Sequence, residues 1–213
     1  HTLLAHCVRR LQAGAVGPVV VATTMQADDD AVEAEAERLH CRVVRGSTDD
    51  VLARFAMASL AVPSRWIVRA TADNPAVDID SASRLLRAME ERGADYGSER
   101  GFPYGGAVEV IAASTLHRVA ELATDAYDRE HVTPYVRSHA EMFRIITPDV
   151  PVNVRRPDLR LTVDTVEDLE FMRRVLDLAE AGSSPAPLQA VIVAADAVQR
   201  QAIDMPGTRP PAV

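Results

Sequence analysis

Apolar residues along this chain fall into two rhythms, a helical spacing of three to four and short unbroken runs, and their alternation predicts the order of elements. Leu3, Leu4, Cys7, Val8 and Leu11 make one stripe at helical spacing. Gly14 and Gly17 close it, and Pro18 follows. Residues 18–23 are a continuous apolar run, as expected for a strand covered on both faces. Asp28, Asp29 and Asp30 open the next helix, which reaches Leu39; this acid run is read as the complement of the helix dipole rather than as a metal site. Cys41–Arg45 reads as a second strand, Gly46–Asp50 as a turn with Ser47 or Thr48 as N-cap, and Val51–Leu60 as a helix. Trp66–Arg69 is a third strand, and Asp78–Arg92 a helix with Ile79, Leu85, Leu86 and Met89 inward. Strands alternating with helices at this spacing predict βαβ units, an α/β core with a mostly parallel sheet between helices.

After about residue 95 the rhythm changes. Asp95–Tyr96 reads as a short strand, Gly101–Gly106 as a loop rich in turn residues, and Val108–Ile111 as an alternating strand. Helices are expected over 112–123 and 128–139, the second bent at Pro134, with strands over 142–147 and 160–163. Residues 166–181 form a strongly amphipathic helix. Gly182–Pro185 is a linker into a last helix over 188–203, and 205–211, rich in proline, is expected to be extended or disordered. The domain reading is one α/β domain over 1–181, then linker, helix and tail over 182–213. No internal repeat is visible.

Composition narrows the function. The formal charge is -8, from 23 basic and 31 acidic residues, which argues against nucleic acid as partner because phosphate-backbone binding needs clustered positive charge. A small anionic ligand needs only a local positive pocket or a metal. Every basic residue counted is arginine and none is lysine, which favours forked contacts to phosphate and carboxylate over a titrating amine. The two cysteines have no metal-ligand spacing and are expected reduced and buried, as in a cytoplasmic protein. No apolar run is long enough to span a membrane, and the amphipathic start is unlike a signal peptide.

The chemistry is carried by two aspartates, each just past an apolar run that reads as a buried strand, where an open α/β sheet builds its ligand site. Asp73 stands in Ala72-Asp73-Asn74-Pro75, a loop made rigid by the proline; Asp164 stands in Thr162-Val163-Asp164-Thr165. Together they could hold one magnesium ion, which takes one or two carboxylates plus phosphate and water oxygens. Each also has a bland reading. Asp73 suits a turn or cap, and Thr165 with Asp168 makes a capping arrangement that leaves Asp164 on the strand side. The 46–50 turn could present backbone N–H groups to a nucleotide, or simply cap a helix. Tyr104-Gly105-Gly106 permits close approach to a ligand, or makes a hairpin turn. Arg129-Glu130-His131 on a predicted helix could be catalytic, but is read first as a helix-surface ion cluster or a subunit contact.

Five segments in order, Arg45–Phe55, Val68–Pro75, Val108–Val110, Arg129–Tyr135 and Arg160–Glu170, resemble the cytidylyltransferases of the spore coat polysaccharide type, relatives of the acylneuraminate and 3-deoxy-manno-octulosonate enzymes. The resemblance implies a three-layer nucleotide-diphospho-sugar transferase fold. It also implies transfer of CMP from CTP to a sugar or sugar-like acid, with release of pyrophosphate, in polysaccharide or glycoconjugate biosynthesis. It assigns Asp73 and Asp164 as catalytic, metal-binding residues for Mg2+. Gly46, Ser47, Asp49 and Asp50 fall at the nucleotide, and Arg69, Tyr104, Gly106 and Glu109 at the acceptor. Residues 95–150, including Glu130–Tyr135, resemble the part that supports a homodimer.

Two departures stand out. The family's opening strand and its glycine- and arginine-containing phosphate loop ending in lysine have no counterpart in the sequence from His1 onward, so the fold is expected to lack them. Ala107 stands where spore-coat-type relatives commonly carry an aspartate, which points to a different acceptor. The rival readings are a glycosyltransferase using nucleotide-sugars, whose acidic pair could be sought in Asp78-Ile79-Asp80 although those residues sit at a helix start and read better as caps, and a non-catalytic binding or assembly protein without a triphosphate loop.

Overall fold

The computed structural model describes residues 1–204; the proline-rich stretch 205–211 lies outside the described residues. Strands β1 (Val20–Thr24) and β2 (Arg42–Gly46) pair in parallel, Val20 opposite Arg42 and Thr24 opposite Gly46. A second sheet has the order β3 (Trp66–Arg69), β5 (Glu109–Ala112), β4 (Tyr96–Ser98), β6 (Ile145–Ile146). In it β5 is antiparallel to both β3 and β4, while β4 and β6 run parallel. The expected α/β class holds, but pairing is divided between parallel and antiparallel rather than mostly parallel. The reason lies after residue 95, where the chain returns through β5 between β3 and β4 instead of adding another βαβ unit.

Helices cover both faces. Val68 packs with Cys7 and Leu11 of α1 (Leu3–Ala13) and with Leu85 and Met89 of α4 (Ser81–Arg92). Its neighbour Ile67 packs with Leu52 of α3 (Val51–Ala61) and Leu116 of α5 (Ala113–Leu122). Successive strand residues point to opposite faces, so α1 and α4 lie on one side and α3 and α5 on the other. The helix α2 (Asp30–Arg38) follows a short 3-10 turn over Ala27–Asp29.

Some predicted elements are redrawn. The helix over 128–139 is two short ones, α6 (Ala126–His131) and α7 (Pro134–Ser138), interrupted at Val132, whose φ is +72°. Proline at the first position of α7 starts that helix rather than bending a longer one. The strand over 160–163 reduces to a single bridge between Arg160 and Tyr104. The amphipathic helix is α8 (Val166–Ala179), opened by a reciprocal box in which Thr165 and Asp168 each bond the other's amide. Its apolar face, Met172, Val175 and Leu176, packs with Leu188, Val191 and Ala195 of α9 (Leu188–Asp204).

Two polar anchors hold the frame around the site. Arg10, fully buried, donates from Nε to the Val77 carbonyl at 2.6 Å and from Nη1 to the Ala186 carbonyl at 2.7 Å, joining α1 to the segment after Asp73 and to the approach to α9. Asp29 accepts from Thr23 Oγ1, Thr24 Oγ1 and the Thr24 amide, so the acid run locks the end of β1 as well as starting a helix. Both cysteines are free and buried; burial pushes the Cys7 thiol up to about 12.

Arg10→Met should lower the unfolding free energy by about 2 kcal/mol, because it leaves two buried carbonyls without donors. An unchanged urea midpoint would mean that burying the charge costs as much as its bonds contribute. Hydroxyl bonds from Thr24 and then Thr23, with the Thr24 amide, hold the Asp29 carboxyl down to about 2. A depressed folded pKa stabilises above the unfolded value near ~4, and that share is lost as pH falls through about 2. Thr24→Val should therefore flatten the fall of the urea midpoint between those limits; an unaltered acid profile would count against this role.

Candidate active site

Three loops meet at the rim beyond β3. The Asp73 loop leaves the C-terminal end of β3, and the Val163 amide donates to the Asp73 carbonyl at 2.9 Å. The Tyr104 loop lies beside them, with the Tyr104 amide bonded to the Leu159 carbonyl and the Leu161 amide to the Tyr104 carbonyl, both at 2.8 Å. At their junction is Gly105, at φ +93°, where an added Cβ would come 2.8 Å from the Thr162 nitrogen and 2.9 Å from Asn74 Oδ1. Only glycine combines that backbone with that proximity. The Gly106 carbonyl accepts from the Asp78 amide at 2.9 Å, closing the loop onto the start of α4.

The side chains at this junction differ in how they are engaged. Asp73 is exposed, and its carboxylate has no hydrogen-bond partner among the described residues. Asn74 instead turns back, its Nδ2 donating to Thr71 Oγ1 at 2.7 Å. Asp164, also exposed, takes a bond from Arg160, whose guanidinium lies 5.2 Å from the centre of the Tyr104 ring. That bond raises the Arg160 pKa, while the amides of Asp164 and Thr165 hold the Asp168 carboxyl below its ordinary value. Arg160 was absent from the sequence-based assignment. No local pattern points to it, because residues 160–164 are not helical and i, i+4 side chains are regular neighbours only on a helix.

A second group sits where β3 meets β5. Arg69 Nη1 donates to Glu109 Oε2 at 2.6 Å, and Glu109 Oε1 accepts from Tyr96 and, at 2.9 Å, from Thr133 Oγ1. Burial, and then the charge of Glu109, push the Tyr96 phenol up, so it stays a donor. Both Glu109 oxygens are thus held in place. Arg69 keeps a buried Nε with no acceptor and lies over Phe55 at 5.9 Å. Tyr96, outside every quoted segment, and Thr133, from the Arg129–Tyr135 segment, complete this group through tertiary packing.

The 46–50 turn follows the C-terminal end of β2. Ser47 and Asp49 are exposed, while Gly46 is buried against the Arg54 side chain. The N-cap of α3 is Asp50 rather than Ser47 or Thr48: Oδ1 accepts from the Ala53 amide at 2.9 Å, and Oδ2 takes Arg129 Nε at 2.8 Å and Nη2 at 2.5 Å. Both Asp50 oxygens thereby serve α3 and α6. No hydrogen bond or ion pair among the described residues links this turn to the Asp73, Tyr104 or Asp164 loops.

Asp78, expected as a helix-start cap, is instead buried and paired with Arg84, which also grips Glu99 at 2.5 Å. Burial raises the Asp78 pKa against the pull of Arg84. Enclosed in this way, Asp78 is unsuited to the acidic pair of a glycosyltransferase.

Among the described residues no group of three or more His, Cys, Asp or Glu side chains gathers as a metal cage. The donor set that remains suits a cation taking most of its ligands from phosphate and water. Asp73 fits as a carboxylate already free, and Asp164 fits once Arg160 is drawn to another anion.

A family model described as cytidylyltransferase matches residues 1–196. Spore coat polysaccharide biosynthesis protein SpsF of Bacillus subtilis is 35% identical over 168 residues, 78% of this chain and 69% of that protein. An uncharacterized protein of Methanocaldococcus jannaschii is 34% identical over 153 residues, 72% of this chain and 63% of its own length. Among solved structures, a cytidylyltransferase from Leptospira borgpetersenii serovar Hardjo-bovis superposes with a TM-score of 0.81 at 24% identity, covering 99% of this chain and 88% of that one. The CMP:2-keto-3-deoxy-manno-octonic acid synthetase complexed with CTP gives 0.60 at 15% identity, over 82% and 87%. The last two likenesses concern the fold, which is the expected nucleotide-diphospho-sugar transferase type.

Gly105→Ala should cost about 3 kcal/mol in urea unfolding, from a strained positive φ together with a clash against backbone. Gly182→Ala, where nothing lies within 4 Å of the new Cβ, is the control expected to be silent. Equal stability of the two variants would remove Gly105 as the wedge between the loops.

Proposed function

The chain belongs to the cytidylyltransferase family, and from that premise we propose that it transfers CMP from CTP to a hydroxyl of a sugar or sugar-like acid in the biosynthesis of a polysaccharide or glycoconjugate. The acceptor oxygen bonds to the α-phosphorus, the bond from that phosphorus to the β-phosphate oxygen breaks, pyrophosphate leaves, and the hydroxyl proton passes to water. The observation that carries this reading is the junction of the Asp73 and Asp164 loops around Gly105, joined by backbone bonds while the Asp73 carboxylate is left free.

In this reading Asp73 and Asp164 hold Mg2+, which when bound supplies neutralisation of triphosphate charge. Arg160 exchanges its bond with Asp164 for a phosphate oxygen, a contact that suits its forked, permanently charged group. Gly46, Ser47 and Asp49 line the nucleotide side, with Asp50 shaping that turn through the bonds that fix both its oxygens. Arg69, Tyr104, Gly106 and Glu109 line the acceptor side, where Glu109 orients Arg69 toward a polar acceptor. Catalysis then rests on positioning and on charge complementarity. A homodimer formed through 95–150 and a cytoplasmic location belong to the same proposal. The described residues include no helix long and apolar enough to cross a membrane.

Pyrophosphate release from CTP, magnesium and a panel of sugars and sugar acids tests the reaction. Asp73→Ala and Asp164→Ala should each lower turnover by about 100-fold or more, with urea midpoints close to that of the parent because both side chains are exposed. Full turnover in either variant would dismiss its assigned role, and consumption of nucleotide-sugars without CTP cleavage would transfer the protein to the glycosyltransferases.

A further inference from the structure

The chain crosses from β4 to β5 through the loop 101–106, which among the described residues belongs to no sheet and makes one β-bridge, Tyr104 with Arg160. Its backbone turns on Gly101, at φ +99°, and on Gly105, at φ +93°. A segment built on such residues and outside the sheet ladders has little of its own to fix its shape. Much of what fixes it comes from the start of α4.

Arg84, in the first turn of α4, grips both oxygens of Glu99, Nε to Oε1 at 2.5 Å and Nη2 to Oε2 at 2.8 Å, and Nη2 also reaches Asp78 Oδ2 at 2.9 Å. The Ser81 hydroxyl adds a bond to Glu99 Oε2 at 2.7 Å. Glu99 directly follows β4 and stands just ahead of the loop. Asp78 holds the loop's other end, where its amide donates to the Gly106 carbonyl at 2.9 Å, and the Gly106 amide in turn donates to the Pro103 carbonyl at 2.9 Å. Between the two ends, the Arg84 guanidinium lies 5.9 Å from the centre of the buried Phe102 ring. One arginine thus ties the entry, the middle and, through Asp78, the exit of the loop to a single helix start.

The helix does not need this group to stay on the sheet. Leu85 and Met89, both fully buried, seat α4 in an apolar cluster with Val110 and Ile146. The group also carries an electrostatic cost, because the Glu99 and Asp78 side chains are 1% and 6% exposed and share one cation. Buried ion groups of this kind often add nothing to stability over apolar packing. What a fork across two carboxylates does add is a single geometry, since its bonds form only when both partners are in line. The part held in that geometry is the loop that presents Tyr104, whose ring is 65% exposed, together with Gly106.

We propose that Arg84 is a positioning residue for the acceptor: by locking Glu99 and Asp78 together it holds the 101–106 loop in one pose, so that Tyr104 and Gly106 meet the sugar or sugar acid in register, and it plays no part at the nucleotide. The inference rests on the reading above, which places Tyr104 and Gly106 at the acceptor. It adds Arg84, Glu99 and Ser81 as residues that act on the acceptor only through the loop.

The test uses the full 213-residue chain with CTP, magnesium and whichever sugar or sugar acid of the panel gives the fastest pyrophosphate release. Arg84→Lys keeps a positive charge beside Glu99 but cannot span two carboxylates. It should raise the KM for that acceptor about tenfold and leave kcat and the KM for CTP within about twofold of the parent. Glu99→Gln keeps the size of the side chain and leaves Arg84 paired with Asp78, and it should show the same split. In both variants the amides of Asp78, Tyr104 and Gly106, each bonded to a carbonyl in the parent, should exchange about tenfold faster, with residues 85–89 protected as before. Val8→Ala, which removes buried methyl groups from a cluster that includes no residue of the loop, is the destabilised control: its urea midpoint falls and both KM values stay.

An acceptor KM at the parent's value in both Arg84→Lys and Glu99→Gln overturns the inference. So does a KM for CTP that rises in step with it, or exchange at Tyr104 and Gly106 no faster than in the parent. An equal rise of acceptor KM in Val8→Ala would reduce Arg84 to a general contributor to stability. Failure of the parent to release pyrophosphate with any acceptor is a separate result, which removes the reaction itself and the acceptor role of Arg84 with it.

Discussion

The hydrogen bond from the Val163 amide to the Asp73 carbonyl is the constraint on which the candidate site depends. It joins two segments some ninety positions apart, and it does so through main-chain atoms, so neither aspartate's side chain is consumed in holding the loops together. Gly105 makes the approach sterically feasible: any Cβ there would press on Thr162 and Asn74 and push the loops apart. Backbone groups hold their geometry more firmly than long side chains do, because fewer rotatable bonds lie between them and the fold. The arrangement thus combines fixed loops with exposed, adjustable carboxylates, which is what a site for a charged ligand requires.

Around that junction the chain uses arginine as its structural cation. Arg84 holds Asp78 and Glu99, Arg45 holds Asp30 and Glu33, and Arg156 holds Asp158 and Asp196. One planar guanidinium can span two carboxylates, whereas an ammonium acts as a point charge. Arg160 is the case in which this habit meets the candidate site. It is as exposed as its partner Asp164, and an exposed pair is held weakly enough to exchange partners.

Much of the frame was legible from residue order. The stripe through Leu3, Cys7 and Leu11, the apolar run into β1 and the reciprocal cap at Thr165 and Asp168 are local patterns, and each appears in the fold. The segment 128–139 was misread, because its break depends on Val132 adopting a positive φ that no local rule favours. Asp78 was read as a helix cap for a similar reason. Its burial follows from Arg84 and Glu99, and Glu99 arrives from beyond the next strand.

Periodicity and caps determined by themselves that this is an alternating α/β chain, with aspartates following strand-like runs, because those signals depend on residues within a turn or two of one another. Tertiary structure alone decided that antiparallel pairing through β5 accompanies the parallel pairs. It also decided that Asp50 is engaged by Arg129, that Glu109 is held by Tyr96 and Thr133, and that Arg160 stands over Tyr104 beside Asp164. Those outcomes depend on which distant edges, charges and hydroxyls are brought within hydrogen-bond reach, and only the packed chain contains that information.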